Sequence, residues 1–303
     1  MPRVLDVVDD AAISLAECSE ALAQSGFAPE DEDSLAHAAL LLRRLGNNQT
    51  FLGDLMIDEL ARRHKAESDA NSYGSQVIML ARPEGGQCFL RANIWPSAAE
   101  PMMQSSGAAA FVYGLPHDHN FNFLTLGYFG PGYWSDYYEA DYEAISGYRG
   151  EPVALRPMGR HRLDPGKIML YRAHIDVHAQ IPADALSVSV NIMHTTGAQG
   201  WLDQYRFDTE NRRVGAILSN GASEVFLRIA VGLGGGEAID LAHRFAQNHP
   251  SDRMRLHALD ALASIASDAA ARDALWRDAE LAGSRMVAME ARARRADLMG
   301  VQG

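Results

Sequence analysis

Apolar positions recur every three or four residues over the first seventy residues, every second residue in the middle of the chain, and every three or four again near its end. In ISLAECSEALAQSG (13–26) and LAHAALLLRRLG (35–46) this spacing predicts amphipathic helices, with Gly26 and Gly46 read as stops; FLGDLMIDELARRHKAE (51–67) continues the pattern. From 75 to 200 the period shortens. SQVIMLAR, QCFLRANIW, AAAFVYGL, FNFLTLGYF, GYWSDYYEADY, EPVALRP, KIMLYRAH and LSVSVNIMH are short runs rich in β-branched and aromatic residues. Gly85-Gly86, Gly130-Pro131-Gly132 and Pro165-Gly166 punctuate them. Such runs without intervening helices predict an antiparallel sandwich or barrel. Between 222 and 299 four alanine- and arginine-rich segments return to helical spacing. The expected chain is therefore α+β: a helical segment over 1–74, a β-barrel over 75–205 and a helical segment over 206–303.

Composition narrows the function. At 303 residues the chain is long enough for a full core. A formal charge of −12 argues against nucleic acid as a partner, because phosphate binding needs a positive surface. Only Lys65 and Lys167 are lysines, which coding bias explains, although arginine is also the better fork for a carboxylate. Cys18 and Cys88 provide neither a disulfide framework nor a thiolate zinc site. MPRVLDVVDD is too acidic and too short in apolar run for a signal peptide, and no stretch reaches the roughly 18 apolar residues that span a bilayer. The expectations are a cytoplasmic location, no membrane and no nucleic acid.

One stretch carries candidate chemistry. GLPHDHNFNF (114–123) places His117 and His119 two residues apart, so on a strand both imidazoles face one point and Asp118 faces away. Downstream, LDPGKIMLYRAHIDVHAQIP follows a Pro165-Gly166 turn and places His178 twelve residues after Gly166. Three histidines at such turns, in a β-rich zone, point to metal binding. His174 is a rival third ligand because it follows the same strand. Glu139 is an alternative acid: were Gly130-Pro131-Gly132 a hairpin tip, the returning strand would bring Glu139 opposite Asn122 and Phe123. His37, His64, His161, His194, His243, His249 and His257 read as solvated or capping residues.

This layout resembles the cupin family, whose fold is a double-stranded β-helix. His117 and His119 match the HxH of its first motif, and His178 matches the closing histidine of its second, with Gly114 and Gly127 near the flanking glycines. The resemblance covers 85–195. The glutamate that the family often places after HxH is replaced by Phe123 or Leu124. In that respect the chain is similar to three-histidine thiol dioxygenases such as cysteine dioxygenase. The resemblance implies a cupin-like barrel flanked by helices and holding Fe(II), with Zn, Mn, Ni and Cu as alternatives, since imidazole suits all of them.

The function this implies is a non-haem iron oxygenase taking O2 and a small or peptide-borne substrate. A metal-dependent cupin isomerase or lyase, and a non-catalytic ligand-binding cupin, are the alternatives. Use of 2-oxoglutarate is disfavoured, because HDH lacks the usual HxD order. Arg91 and Arg172 alternate with apolar neighbours, so either could turn inward and hold a substrate carboxylate. Tyr128 and Tyr137 are candidates for a pocket hydroxyl, among Tyr113, Tyr133, Trp134, Tyr138 and Tyr171; Asn93 and Asn191 are candidate supporting donors. The helices flanking HPSD resemble a HEAT-type hairpin over about 40 residues. The helical end then reads as core or homodimer surface, or less readily as a groove for a protein partner.

Overall fold

The N-terminal helical signals become real helices because their ends carry the right side chains. After a short strand β1 (Arg3–Leu5), α1 (Leu15–Ser25) begins at Ser14 with a reciprocal cap, the Glu17 amide donating to Ser14 Oγ and the Ser14 amide to the Glu17 carboxylate. It stops at Gly26, whose positive φ of 70° suits glycine. Asp31 caps α2 (Glu32–Asn47), and α3 (Phe51–Arg63) follows. The computed structural model describes residues 1–63 and 76–300, so the readings of His64 and Lys65 lie outside the described residues.

Next come β2 (Val77–Ala81), β3 (Cys88–Trp95), α4 (Pro101–Ser106), β4 (Phe123–Phe129), β5 (Tyr133–Glu139), β6 (Arg156–Leu163), β7 (Ile168–Tyr171), β8 (Asp176–Gln180) and β9 (Ser187–His194). They form a six-stranded sheet in the order β1-β7-β4-β9-β3-β2 and a three-stranded sheet β6-β5-β8, with every pair antiparallel. The alternation read from the sequence sorts their side chains. Leu90, Ala92, Leu124, Leu126, Leu170, Val190 and Ile192 form one core with Cys18, Leu22, Leu42 and Leu45 of the helices. Trp95, Phe123, Tyr133, Tyr137, Tyr171 and Met193 turn the other way, into a second core between the two sheets.

The described strands form a six-, a three- and a two-stranded antiparallel sheet, consistent with the expected α+β class, and no closed barrel is detected among them. Several local expectations are corrected. AAAFVYGL is a 3-10 turn (Ala108–Phe111), with Tyr113 making a single bridge to Gln180. In EPVALRP the strand begins only at Arg156 and continues through GRHRL to Leu163. Gly46 does not stop α2, which runs on to Asn47. Its lack of a side chain serves packing, since a Cβ there would lie 2.8 Å from Leu126 Cδ1. Gly130-Pro131-Gly132 is not a hairpin tip joining neighbouring strands: it carries the chain from β4 in one sheet to β5 in the other. Gly130 and Gly132 have φ of 75° and 81°, and a Cβ on either would collide with the carbonyl of Leu186 or Leu163.

These elements belong to one of two units, Met1–Ala140 with Leu155–Gln199. The other comprises Asp141–Ala154 with Gly200–Gly303. It opens with a β-hairpin, β10 (Tyr205–Asp208) and β11 (Arg213–Ile217), which the periodicity did not predict. Helices α5 (Ala222–Gly232), α6 (Gly236–Asn248), α7 (Asp252–Ser264), α8 (Ala269–Ala279) and α9 (Arg285–Gly300) then bury Leu227, Val231, Leu262, Trp276 and Val287 in a core of their own. Arg253 is buried there, with Nε 2.8 Å from Asp203 Oδ1 and Nη1 2.8 Å from Glu224 Oε1. No helix of the described residues is long and apolar enough to cross a membrane.

Candidate metal centre

His117 and His119 lie in an extended segment just before β4 rather than inside a strand, and only His117 makes a ladder contact. That contact is with His178 of β8: the His117 amide donates to the His178 carbonyl at 3.0 Å and the His178 amide returns the bond at 2.9 Å. The His119 carbonyl accepts from the His174 amide at 2.7 Å, which pins the segment on its other side. Backbone pairing thus converges three rings from distant parts of the sequence. Their centroids lie 4.5 to 5.0 Å apart, and one nitrogen from each falls within 4.8 Å of the others.

The donor set fits a metal ion. His117 Nδ1 donates to the Leu115 carbonyl at 2.7 Å, which leaves Nε2 as the lone pair. His119 Nδ1 and both ring nitrogens of His178 are buried with no hydrogen-bond partner. Unpaired buried nitrogens cost stability unless something fills their lone pairs. Burial pushes the pKa of His117 down and those of His119 and His178 well down, because an imidazolium there would be desolvated beside its neighbours. The rings are therefore neutral near pH 7, the state in which imidazole ligates. His117 and His178 are buried and His119 is partly exposed, so His119 marks the accessible side.

Around this cluster the walls are aromatic. Phe123 is edge-on to His119 at 5.0 Å and stacks on Tyr171 at 4.5 Å and 10°. Tyr171 in turn stands edge-on to His178 at 4.9 Å. Phe123, inward on β4, thus stands where the cupin resemblance would often put a glutamate, while Leu124 packs toward the helices. Tyr137 Oη lies 2.7 Å from Tyr171 Oη, and its ring is 6.3 Å from His178. Burial drives the Tyr133 and Tyr171 hydroxyls well up and Tyr137 up to about 12, so all three remain protonated donors.

The remaining candidates divide sharply. Arg91 turns inward on β3, on the face opposite Leu90 and Ala92; no ion pair or hydrogen bond to its guanidinium occurs among the described residues, and its Nε is buried without a partner. Burial lowers its pKa to about 10. Arg172 is not available to a substrate. Its guanidinium reaches Asp176 at 2.7 Å and Glu139 at 2.8 Å.

Glu139 stands apart from the histidines, because β5 pairs with β8 and β6 instead of returning beside β4. Glu139 lies opposite Asp176, and its carboxylate is held by Arg172, Arg156 and the Met1 amine. His174 stands outside the cluster too, in a turn with φ of 64° and 4.0 Å from the Asp118 carboxylate. Tyr128 points toward the helices, donating to the Asn48 carbonyl at 2.8 Å and packing on Phe51. Tyr171, one of the tyrosines named from the sequence, alternates with Leu170 on β7 and faces the histidines, a face that strand parity alone cannot choose.

No family model matches the chain, and no curated protein matches it. Among solved structures it is similar to hydroquinone 1,2-dioxygenase PnpCD in complex with Cd2+ and 4-hydroxybenzonitrile, at 13% identity over 42% of this chain and 68% of that one, with a TM-score of 0.26. HppE in complex with CoII and substrate shares 11% identity over 43% of this chain and 58% of that one, TM-score 0.23. DMSP lyase DddQ from Ruegeria pomeroyi DSS-3 shares 11% over 65% of this chain and 78% of that one, TM-score 0.24. Overlays this partial leave the site to stand on its own geometry.

Proposed function

We propose that the chain is a metal-dependent enzyme of the cupin type, a non-haem Fe(II) oxygenase acting on a small or peptide-borne substrate, with His117, His119 and His178 as the metal ligands. The observation that carries this reading is the convergence of three neutral imidazoles, two buried and one partly exposed, each with a ring nitrogen within 4.8 Å of the others. The cupin resemblance of HDH and of the segment around His178 supports it, as does the lack of a carboxylate in that group. When bound, the iron would supply an uncompensated positive charge with open positions for O2 and a substrate heteroatom.

The chain's own residues do the rest. The hydrogen bond from His117 Nδ1 to the Leu115 carbonyl holds one ring in orientation and fixes its tautomer. Phe123 and Tyr171 shield the histidines from water and narrow the approach to the side of His119. The Tyr137–Tyr171 hydroxyl pair keeps a proton donor beside this wall.

Metal analysis after anaerobic purification with Fe(II) tests the reading. About one iron per chain is expected, falling at least tenfold in His119→Ala and His178→Ala. Oxygen uptake with candidate substrates should vanish in the same variants. Metal-free protein whose three histidine variants behave as wild type would refute the metal reading. Turnover undiminished without O2 would move the chain to the isomerase or lyase class.

A further inference from the structure

A surface helix that buries one stripe ordinarily turns polar and charged residues to its other side, and α5 does not. Its sequence, ASEVFLRIAVG, carries only Glu224 and Arg228 as charged residues. Glu224, Leu227 and Val231 form the buried stripe, spaced three and four residues apart. Glu224 is spent there, accepting from the Gly221 amide and pairing with Arg253. Val225, Phe226, Ile229 and Leu233, the last just past the helix end, recur at helical spacing on the opposite side and are 56%, 66%, 53% and 83% exposed. Ala222 and Ala230, exposed as well, lie between them. A helix apolar on all sides is the kind found buried on all sides.

The apolar surface continues past the helix. Arg253 donates to the Gly200 carbonyl at 2.9 Å and to the Ser219 carbonyl, and it pairs with Asp203 and Glu224. One guanidinium thus gathers the segments that carry Trp201, Leu202, Leu218 and Val225, all of them exposed. At their exposures, the four large residues of the α5 stripe leave roughly 500 Å² of apolar surface in water, near the largest patch an ordinary monomer shows. Trp201, Leu202 and Leu218 add to it. Two such stripes laid together cover roughly 1,000 Å² from α5 alone, the size at which a specific interface begins.

We propose that this face of α5 is the interface of a homodimer, in which the helix packs against the same helix of a second copy across a two-fold axis. Charge decides the occupant. The stripe offers nothing to a charged partner, and one arginine on a chain of formal charge −12 does not draw the helix to an anionic bilayer. A second copy brings an equally uncharged stripe, so no like charges are opposed. Large Phe226 and Leu233 beside small Ala222 and Ala230 provide the relief that lets two helices interlock. Ile229, midway along the stripe, falls nearest the axis, where a residue meets its own copy. The proposal is independent of the metal centre.

Sedimentation velocity of the full chain across micromolar concentrations tests it. Wild type should sediment at twice the chain mass. Ile229→Asp and Ile229→Lys should each be monomeric, with unchanged far-ultraviolet circular dichroism because the residue is exposed, and an equimolar mixture of the two should regain the dimer. Oxidation gives a second readout that needs no broken interface. Since Cys18 and Cys88 are buried, Ile229→Cys should form a disulfide-linked dimer about tenfold or more faster than Arg244→Cys, an exposed position on α6. Wild type that is monomeric throughout, a dimer that survives both charged variants, a mixture that stays monomeric, or equal rates for the two cysteine variants overturns the proposal. So does monomeric wild type that floats with phosphatidylcholine vesicles, which would give the face to a bilayer.

Discussion

At the scale of single residues, a pair of buried hydroxyls bridges the two sheets. Tyr137 of β5 and Tyr171 of β7 bring their hydroxyl oxygens to 2.7 Å. Replacing either with Phe leaves one buried hydroxyl short of its partner, at a cost of about 1–3 kcal/mol. Urea denaturation of the single and double variants checks this, the double costing less than the sum of the singles because the two share one bond. Additive penalties would contradict the pairing.

At the scale of elements, α2 lies on the outer face of the large sheet because it has almost no thickness at one point. Gly46 sits in its last turns over Leu126 of β4, and an added methyl would meet the Leu126 side chain at 2.8 Å. Helix propensity favours Ala over Gly by about 1 kcal/mol. Overpacking costs about 1–3 kcal/mol, so the net effect of Gly46→Ala is a loss of stability. Thermal denaturation decides between the two effects, a raised melting temperature meaning that Leu126 gives way. Gly46 also illustrates what a periodicity cannot tell: glycine near a helix end serves equally as a stop or as a close-packing point, and only the neighbouring sheet selects the second.

At the scale of the whole molecule, charge pairs far apart in sequence set the acid limit of stability. Burial alone would raise the Glu139 pKa, but hydrogen bonds from Arg172 and the Met1 amine outweigh it and bring it down to about 2. In the unfolded chain a glutamate titrates near 4.3. The folded form binds its proton later, so this contribution is complete above about pH 4.3 and is lost as the pH falls towards 2. Melting temperatures measured from pH 6 to 2.5 should fall more steeply in wild type than in Glu139→Gln over that window. Parallel curves would mean that the cluster around Arg172 contributes nothing to the fold.

The periods of the chain were enough to place the N-terminal helices, most of the strands and the C-terminal helices, because burial of one face leaves the same mark on any sequence that does it. Two-residue spacing was enough to pair His117 with His119, and the turn at Pro165-Gly166 led to His178. The pairing of strands was not legible: whether the chain at Gly130–Gly132 turns back or crosses over depends on partners tens of residues away. That crossing took Glu139 to Arg172. Side-chain parity is a local property written into the order of residues, whereas the choice of neighbours is a property of the packed whole, and charges find their partners only there.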